Sequence, residues 1–430
     1  MKGQILLFSR IGILVLALIL AGLTAAGTIP QNTASVSGEP GSGDVGIARP
    51  DTPNGAGNAT AGNNRFAFDL YRRLATDPAY AEGNLFFSPY SISSALAITR
   101  EGARSTTADE IESVLHLPTN DTLRREGFAD LNAALNRESS NCTLRIVNAL
   151  WAEETYSFLP DYIDVAARGY GANVTNLDFI ENPEGSRETI NRWVEGQTED
   201  RIRDLLPPGS VDPLTRLVIT NAIYFKGTWV EQFDPAGTTD EGFRVAPGKT
   251  VTVPMMHGDA VYPYTETETL RVLEMPYAHG NKTELAMLVL LPKEENLTAV
   301  EENLDTEKLA DLRESLASQR VRVFFPKFTL DAEYLLPGAL AAMGMPTAFT
   351  GDADLSGMDG MKDLFVTGVF HKAFVDVNEE GTEAAAATGV IAGRGVTPVF
   401  RADHPFVFLI VEKDSGAILF MGRVVNPEGP

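Results

Sequence analysis

A single large α+β domain is the fold this sequence predicts. Strand and helix patterns are mixed, without the regular alternation of a parallel α/β protein. No repeat recurs, and past residue 63 no linker interrupts the 430-residue chain. Two nearly continuous apolar runs, residues 217–225 (LVITNAIYF) and 285–291 (LAMLVLL), read as strands buried on both faces.

Taken in order, residues 64–74 carry Phe66, Leu70, Tyr71 and Leu74 on one side, the spacing of an amphipathic helix. Asn84-Leu85-Phe86-Phe87 is a short apolar strand. Ser88 follows as an N-cap and Pro89 as the first helical residue. The helix they open is rich in small residues (Ser91, Ser93, Ser94, Ala95, Ala97), so it can sit deep in the fold. Residues 106–111 open another helix, 145–151 alternate as a strand, and 188–202 read as a helix. After the 217–225 strand and Lys226-Gly227-Thr228-Trp229, Pro and Gly punctuate a region of strands. Residues 321–325 form a strand and 336–343 a helix. The chain finishes with two strong strands, 406–411 and 418–424, joined at an Asp414-Ser415-Gly416 turn.

Hydrophobic content of 44% is ample for a core, and the net charge of −23 disfavours nucleic acid and heparin-type polyanions as partners. Lys2 and Arg10 precede an apolar run over residues 11–23 and then Thr24-Ala25-Ala26-Gly27, the pattern of a signal peptide. The run is shorter than the roughly 20 residues of a spanning helix. Residues 1–26 are expected to be a signal peptide cleaved near Ala25 or Ala26, giving secretion, with an uncleaved anchor facing outside as the alternative. Residues 27–63 read as a disordered tether of Gly, Ser, Thr, Asn and Pro, leaving 64–430 as the folded domain. Cys142 is the only cysteine, so no intrachain disulfide forms. Glycan acceptor patterns occur at Asn58, Asn120, Asn141, Asn173, Asn281 and Asn296.

Motifs for catalysis are missing. There is no G-x-S-x-G elbow, S-x-x-K or H-E-x-x-H, and the five histidines lie far apart without metal-ligand spacing. Gly41-Ser42-Gly43-Asp44-Val45-Gly46 matches a dinucleotide fingerprint but sits in the tether, with no strand before it and no helix after it. The reading is not an enzyme, with no metal and no cofactor, and a monomer is expected.

The most unusual stretch is Glu379-Glu380-Gly381-Thr382-Glu383-Ala384-Ala385-Ala386-Ala387-Thr388-Gly389. Its alanines suit a short helix. At strand period, one face is Thr382, Ala384, Ala386, Thr388, Val390 and Ala392: small or apolar, and uncharged. Such a segment can enter a packed sheet or stay in solvent.

From residue 64 to 427 the chain resembles a serpin. The resemblance rests on Asn84-Leu85-Phe86-Phe87-Ser88-Pro89-Tyr90-Ser91-Ile92, Asn221-Ala222-Ile223-Tyr224-Phe225-Lys226-Gly227-Thr228-Trp229, Val253-Pro254-Met255-Met256 and Phe325-Pro326-Lys327-Phe328. It also rests on the alanine-rich stretch, on His404-Pro405-Phe406 and on Gly422-Arg423-Val424-Val425-Asn426-Pro427. It implies the serpin fold of three β-sheets, about nine helices and an exposed reactive-centre loop, with a serine protease as partner. The implied mechanism is a suicide substrate: the loop is cut, inserts into the main sheet as a new strand, and traps the protease as an acyl-enzyme. Glu379 through Thr388 match the loop's hinge, and the small inward face favours an inhibitor over a non-inhibitory binding or structural serpin. Ser88, Ser91, Asn221 and His371 match a polar cluster that governs where the main sheet parts. Trp229 matches a buried tryptophan where insertion begins.

Specificity is expected between Gly389 and Phe400. Counting forward from the hinge puts the cut after Gly395; counting back from His404-Pro405-Phe406 puts it after Arg394. The reactive bond is read as Arg394–Gly395, because a trypsin-like pocket carboxylate takes a guanidinium in a charge-assisted pair. A subtilisin-like protease reading Ala392 is the alternative.

Overall fold

The computed structural model describes residues 55–136, 142–278, 285–381 and 397–429. Helix α1 (Gly55–Ala75) begins nine residues before the expected start, so the stretch from 55 to 63 is helix and not tether. Its local propensity is poor, and tertiary contact supplies the stability. Ala59, Thr60 and Asn63 are buried, and the Asn63 amide donates to the Ile418 carbonyl at 2.9 Å. Gly62 lies so close to the His116 carbonyl that a Cβ would sit 2.5 Å from it.

Strand β1 (Leu85–Phe87) leads into α2 (Pro89–Gly102), whose N-cap is Ser88, its hydroxyl accepting the Ser91 N–H. Helices α3 (Ser105–Leu115) and α4 (Asp121–Leu135) follow. In α4, Phe128, Leu131 and Leu135 are buried at helical spacing. Arg124, on the same helix, is fully buried on the carboxylates of Glu101 (2.8 Å) and Asp121 (2.6 Å). Helix α5 (Pro160–Tyr170) precedes α6 (Pro183–Gln197), which was expected over 188–202. Asn182 caps α6 earlier, and the left-handed backbone of Glu199 and Asp200 (φ 50° and 60°) stops it. Helices α7 (Leu297–Asn303), α8 (Thr306–Glu314), α9 (Pro337–Met343) and α10 (Ser356–Asp359) bring the number to ten among the described residues, where about nine were expected.

The strands form three hydrogen-bonded sheets. In the first, β2 (Cys142–Glu153) is flanked by β3 (Ala172–Leu177), parallel, and β4 (Leu217–Gly227), antiparallel. The largest contains β1, β5 (Thr239–Ala246), β6 (Lys249–Glu266), β7 (Leu270–Pro276), β8 (Leu285–Pro292) and β9 (Ala317–Pro326). The same sheet takes β12 (Val399–Arg401), β13 (Phe406–Glu412) and β14 (Ile418–Val424). Every residue of β8, β13 and β14 is buried, as the apolar runs require, and Phe86 stacks on Phe408 and Phe420 at 5.7 and 5.2 Å. The third sheet is the antiparallel pair of β10 (Phe328–Leu335) and β11 (Phe370–Val377). Thus the fold is α+β, with the first and third sheets meeting at β4 and β11.

Candidate functional site

Strands β4 and β11 face each other without a ladder between them. They are tied at one end. Beyond β11, Asn378 and Gly381 exchange two backbone hydrogen bonds (3.1 and 3.2 Å), which folds the chain back, and Gly381 bridges Thr228 just past β4. The Trp229 N–H donates to the Glu380 carbonyl (3.0 Å), and the Phe233 N–H to that of Glu379 (2.9 Å). Gly381 has φ +122°, and a Cβ there would lie 2.3 Å from the Gly227 carbonyl oxygen. Only glycine fits this close crossing. Trp229 is buried, stacks on Tyr277 at 4.3 Å, and donates its indole N–H to the Asn378 carbonyl at 3.1 Å.

Glu379 is anchored beneath this turn. Its carboxylate meets the Lys327 ammonium at 2.7 Å and accepts the Thr238 hydroxyl at 2.8 Å. Burial pushes its pKa up, but Lys327, a backbone N–H and Thr238 outweigh burial and hold it below the usual carboxylate range. The structure therefore gathers Glu379, Glu380, Gly381 and Trp229 at one point. Thr382, Glu383, Ala384, Ala385, Ala386, Ala387 and Thr388 lie outside the described residues, as do Arg394 and Gly395.

The polar cluster lies midway along β4 and at the start of β11. The Ser88 N–H donates to His371 Nε2 at 3.0 Å, so that nitrogen is unprotonated. Burial pushes the His371 imidazole down to about 3. The Ser91 hydroxyl bonds the Asn221 side chain, and Asn221 donates to Asn148 Oδ1 at 2.6 Å. Asn148 in turn donates to the Tyr170 carbonyl at 2.8 Å. All four predicted residues converge at the N-terminus of α2, with Asn221 on β4 and His371 on β11. Ser88 is at once helix cap and partner of His371.

At the far end a cavity of about 480 Å³ opens between the strands. Its walls are α2 (Ser91, Ala95, Thr99), the Leu217 end of β4, the start of β11 and the connection over residues 205–216. The Ser210 hydroxyl is buried against it with no partner among the described residues. The connection that leaves α6 lies across both strands. Tyr224 of β4 donates to Glu199 (3.1 Å), Lys372 of β11 donates to the Arg203 carbonyl (3.1 Å), and Arg201 lies over Phe374 of β11.

Sequence reasoning missed Lys327, Tyr277, Asn148 and the 198–216 connection. Lys327 stood inside a noted motif, but nothing local paired it with a residue 52 positions away. Asn58 proves to lie in α1, while Asn120 and Asn296 are exposed N-caps of α4 and α7 and Asn173 is exposed on β3. Asn141 and Asn281 lie outside the described residues.

The family profile described as Serpin (serine protease inhibitor) matches residues 61–427. An uncharacterized serpin-like protein of Thermococcus kodakarensis is 43% identical, with 85% of each chain covered. The leukocyte elastase inhibitor of Bos taurus is 44% identical over 86% of this chain and 99% of that protein. Among solved structures, a loop-inserted, cleaved ovalbumin mutant superposes with a TM-score of 0.78 at 29% identity, covering 86% of this chain and 100% of that one.

These relatives overturn the expectation of export. The leukocyte elastase inhibitor is matched over 99% of its own length by 86% of this chain, so the similarity gives the N-terminal apolar run no counterpart. No described helix is long and apolar enough to cross a membrane. The expectation of a secreted or outward-facing anchored protein is withdrawn. A profile match from 61 to 427, with relatives above 40% identity that are themselves called serpin-like or protease inhibitors, leaves one conclusion: this chain belongs to the serpin family of serine protease inhibitors.

Proposed function

We propose that this serpin traps a serine protease as a covalent acyl-enzyme by taking its own cut loop into the slot between β4 and β11. The observation that carries the reading is the slot itself: two strands without a ladder, bridged at Gly381–Thr228 and open at a cavity of about 480 Å³. Each backbone hydrogen bond that a new strand made there would contribute about 1 kcal/mol net. The uncut chain forgoes that gain because the loop is anchored at both ends, at Gly381 and at β12.

The protease's serine hydroxyl attacks the carbonyl of Arg394. The Arg394–Gly395 amide breaks, Gly395 leaves as a free amine carrying the proton, and an ester joins Arg394 to the protease. Freed of β12, the hinge enters from Gly381, as loop insertion in serpins proceeds. Thr382, Ala384, Ala386 and Thr388 offer a small, uncharged inward face. Trp229 and Tyr277 form the entry point. The Ser88–His371 and Ser91–Asn221 contacts hold the two strands to α2 on either side of the parting line. Delivery to the far end of the slot distorts the protease before water reaches the ester.

Arg394 marks a trypsin-like target. The elastase inhibitors among the relatives favour a second reading, in which a small-pocket protease reads Ala392 or a neighbour instead. The full chain is mixed with trypsin, and separately with an elastase, and run on a denaturing gel. The expected result is a gel-stable adduct with trypsin and a released peptide beginning at Gly395. An adduct with elastase alone moves the bond; complete cleavage without any adduct sinks the trapping mechanism. Thr382→Arg places a charge at the first inserting position and turns the inhibitor into a substrate; unchanged trapping by that variant counts against insertion.

A further inference from the structure

The cavity beside β4 and β11 has a chemistry of its own. Its walls are mostly apolar, with Ile92 and Leu96 of α2, Leu206 of the connection, and Leu355. Leu214 and Phe365, 80% and 47% exposed, border its mouth, so the way in is apolar too. Its volume of about 480 Å³ falls within the roughly 300–1,000 Å³ of small-molecule sites, which combine apolar walls with a few placed polar groups.

Two of the polar groups here are hydrogen-bond donors without an acceptor. His371 lines the cavity and is only 4% exposed. Its Nε2 accepts the Ser88 N–H, and the ring is uncharged near neutrality, so the proton is on Nδ1. That N–H has no partner among the described residues. The Ser210 hydroxyl lines the same cavity and also lacks one. Ser91 and Asn221, by contrast, are bonded to each other. A buried donor left unpaired favours any acceptor that can reach it. Charge narrows the choice. Asp212 and Asp363 line the cavity against a single guanidinium, Arg216, which disfavours an anion. The His371 N–H disfavours a cation.

We infer that this cavity binds an uncharged, mainly apolar small molecule through a hydrogen-bond acceptor, such as a ketone oxygen, placed on His371 Nδ1. The binding stands on the cavity alone. Its consequence rests on the trapping reading above. A molecule seated between β4 and β11 takes space that a new strand needs, so the cut loop enters more slowly and more of the chain is cleaved without trapping.

The probe is benzophenone, two rings about one carbonyl. Diphenylmethane has nearly the same shape without the acceptor, and diphenylacetate adds a negative charge. Each is titrated into the full chain by calorimetry. Diphenylmethane should bind about tenfold more weakly than benzophenone, the loss of one buried hydrogen bond, and diphenylacetate more weakly still. In His371→Phe the two uncharged ligands should bind equally, a ratio that does not depend on the variant's stability. Ala95→Leu, which fills part of the cavity from α2, should weaken both together. Irradiating bound benzophenone in the unaltered chain should attach it within residues 91–99, 205–221 or 355–371, the segments that carry most of the lining. No binding, equal affinity for the two uncharged ligands in the unaltered chain, or attachment only elsewhere overturns the site. A preference for benzophenone that survives in His371→Phe overturns the placement on Nδ1. With trypsin, saturating benzophenone should raise the fraction cleaved without adduct about threefold. Binding with an unchanged adduct yield overturns the consequence and leaves the site standing. No adduct with or without the ligand overturns the trapping reading, and the site is then judged on binding alone.

Discussion

The end of the slot near Gly227 is held by close contacts: the Asn378–Gly381 turn, the Trp229 stack, the Lys327–Glu379 pair. At the end near Leu217 there is a cavity, a hydroxyl without a described partner, and a connection with left-handed residues at 199, 200 and 204 laid over both strands. The first end tolerates no added atom, and the second has room. A strand that enters at Gly381 would start where the packing is tightest and finish where it is loosest. On the trapping reading, register would be set at the tight end, and room for more chain would lie at the loose one.

Putting the same side chain at both ends breaks or sharpens that contrast most directly. Gly381→Val drives a Cβ into the Gly227 carbonyl at an unfavourable φ and should cost about 3 kcal/mol in urea unfolding. Equal stability to the parent would mean the turn is not a fixed point. Next in size is the acid response of His371. Its folded pKa is depressed to about 3, so below the ordinary histidine value the unfolded chain takes a proton that the folded chain refuses. Stability from this group is complete above about pH 6.5 and falls by about 1.4 kcal/mol per pH unit below it. His371→Gln should flatten that slope between pH 6.5 and 4.5, and an unaltered slope would place the titration elsewhere.

Glu379→Gln should cost about 1 kcal/mol near neutrality, since Lys327 is partly exposed. Because the Glu379 pKa is held low, its contribution is present above the ordinary carboxylate range and lost as pH falls through the folded value. The variant should therefore converge with the parent in acid; a gap that persists there would make the loss one of packing. Smallest is Ser210→Val at the loose end, which removes an unpartnered hydroxyl and should gain about 1 kcal/mol while slowing adduct formation. A loss comparable to that at Gly381 would erase the difference between the two ends.

Much of this was legible beforehand. The buried strands 285–292, 406–412 and 418–424 were readable because burial on both faces leaves an unbroken apolar run. Ser88-Pro89 marked a helix start because the cap chemistry is local. Helix α6 was read five residues late because Asn182 and Pro183, its cap and first residue, were overlooked. The first turns of α1 were read as tether because three Gly, two Asn and a Thr offset the three alanines of residues 55–63 until β14 and the end of α3 pack on them.

By itself the sequence determined the α+β class and the strand-compatible face of Thr382, Ala384, Ala386 and Thr388. These are properties of side-chain size, charge and spacing, which each segment carries alone. Tertiary structure decided that Lys327 pairs with Glu379, that Asn221 and His371 stand on opposite strands, and that Leu214 and Phe365 share one mouth. Each of these joins residues far apart in the chain, whose meeting depends on how β4 and β11 lie over α2, and no local pattern contains that distance.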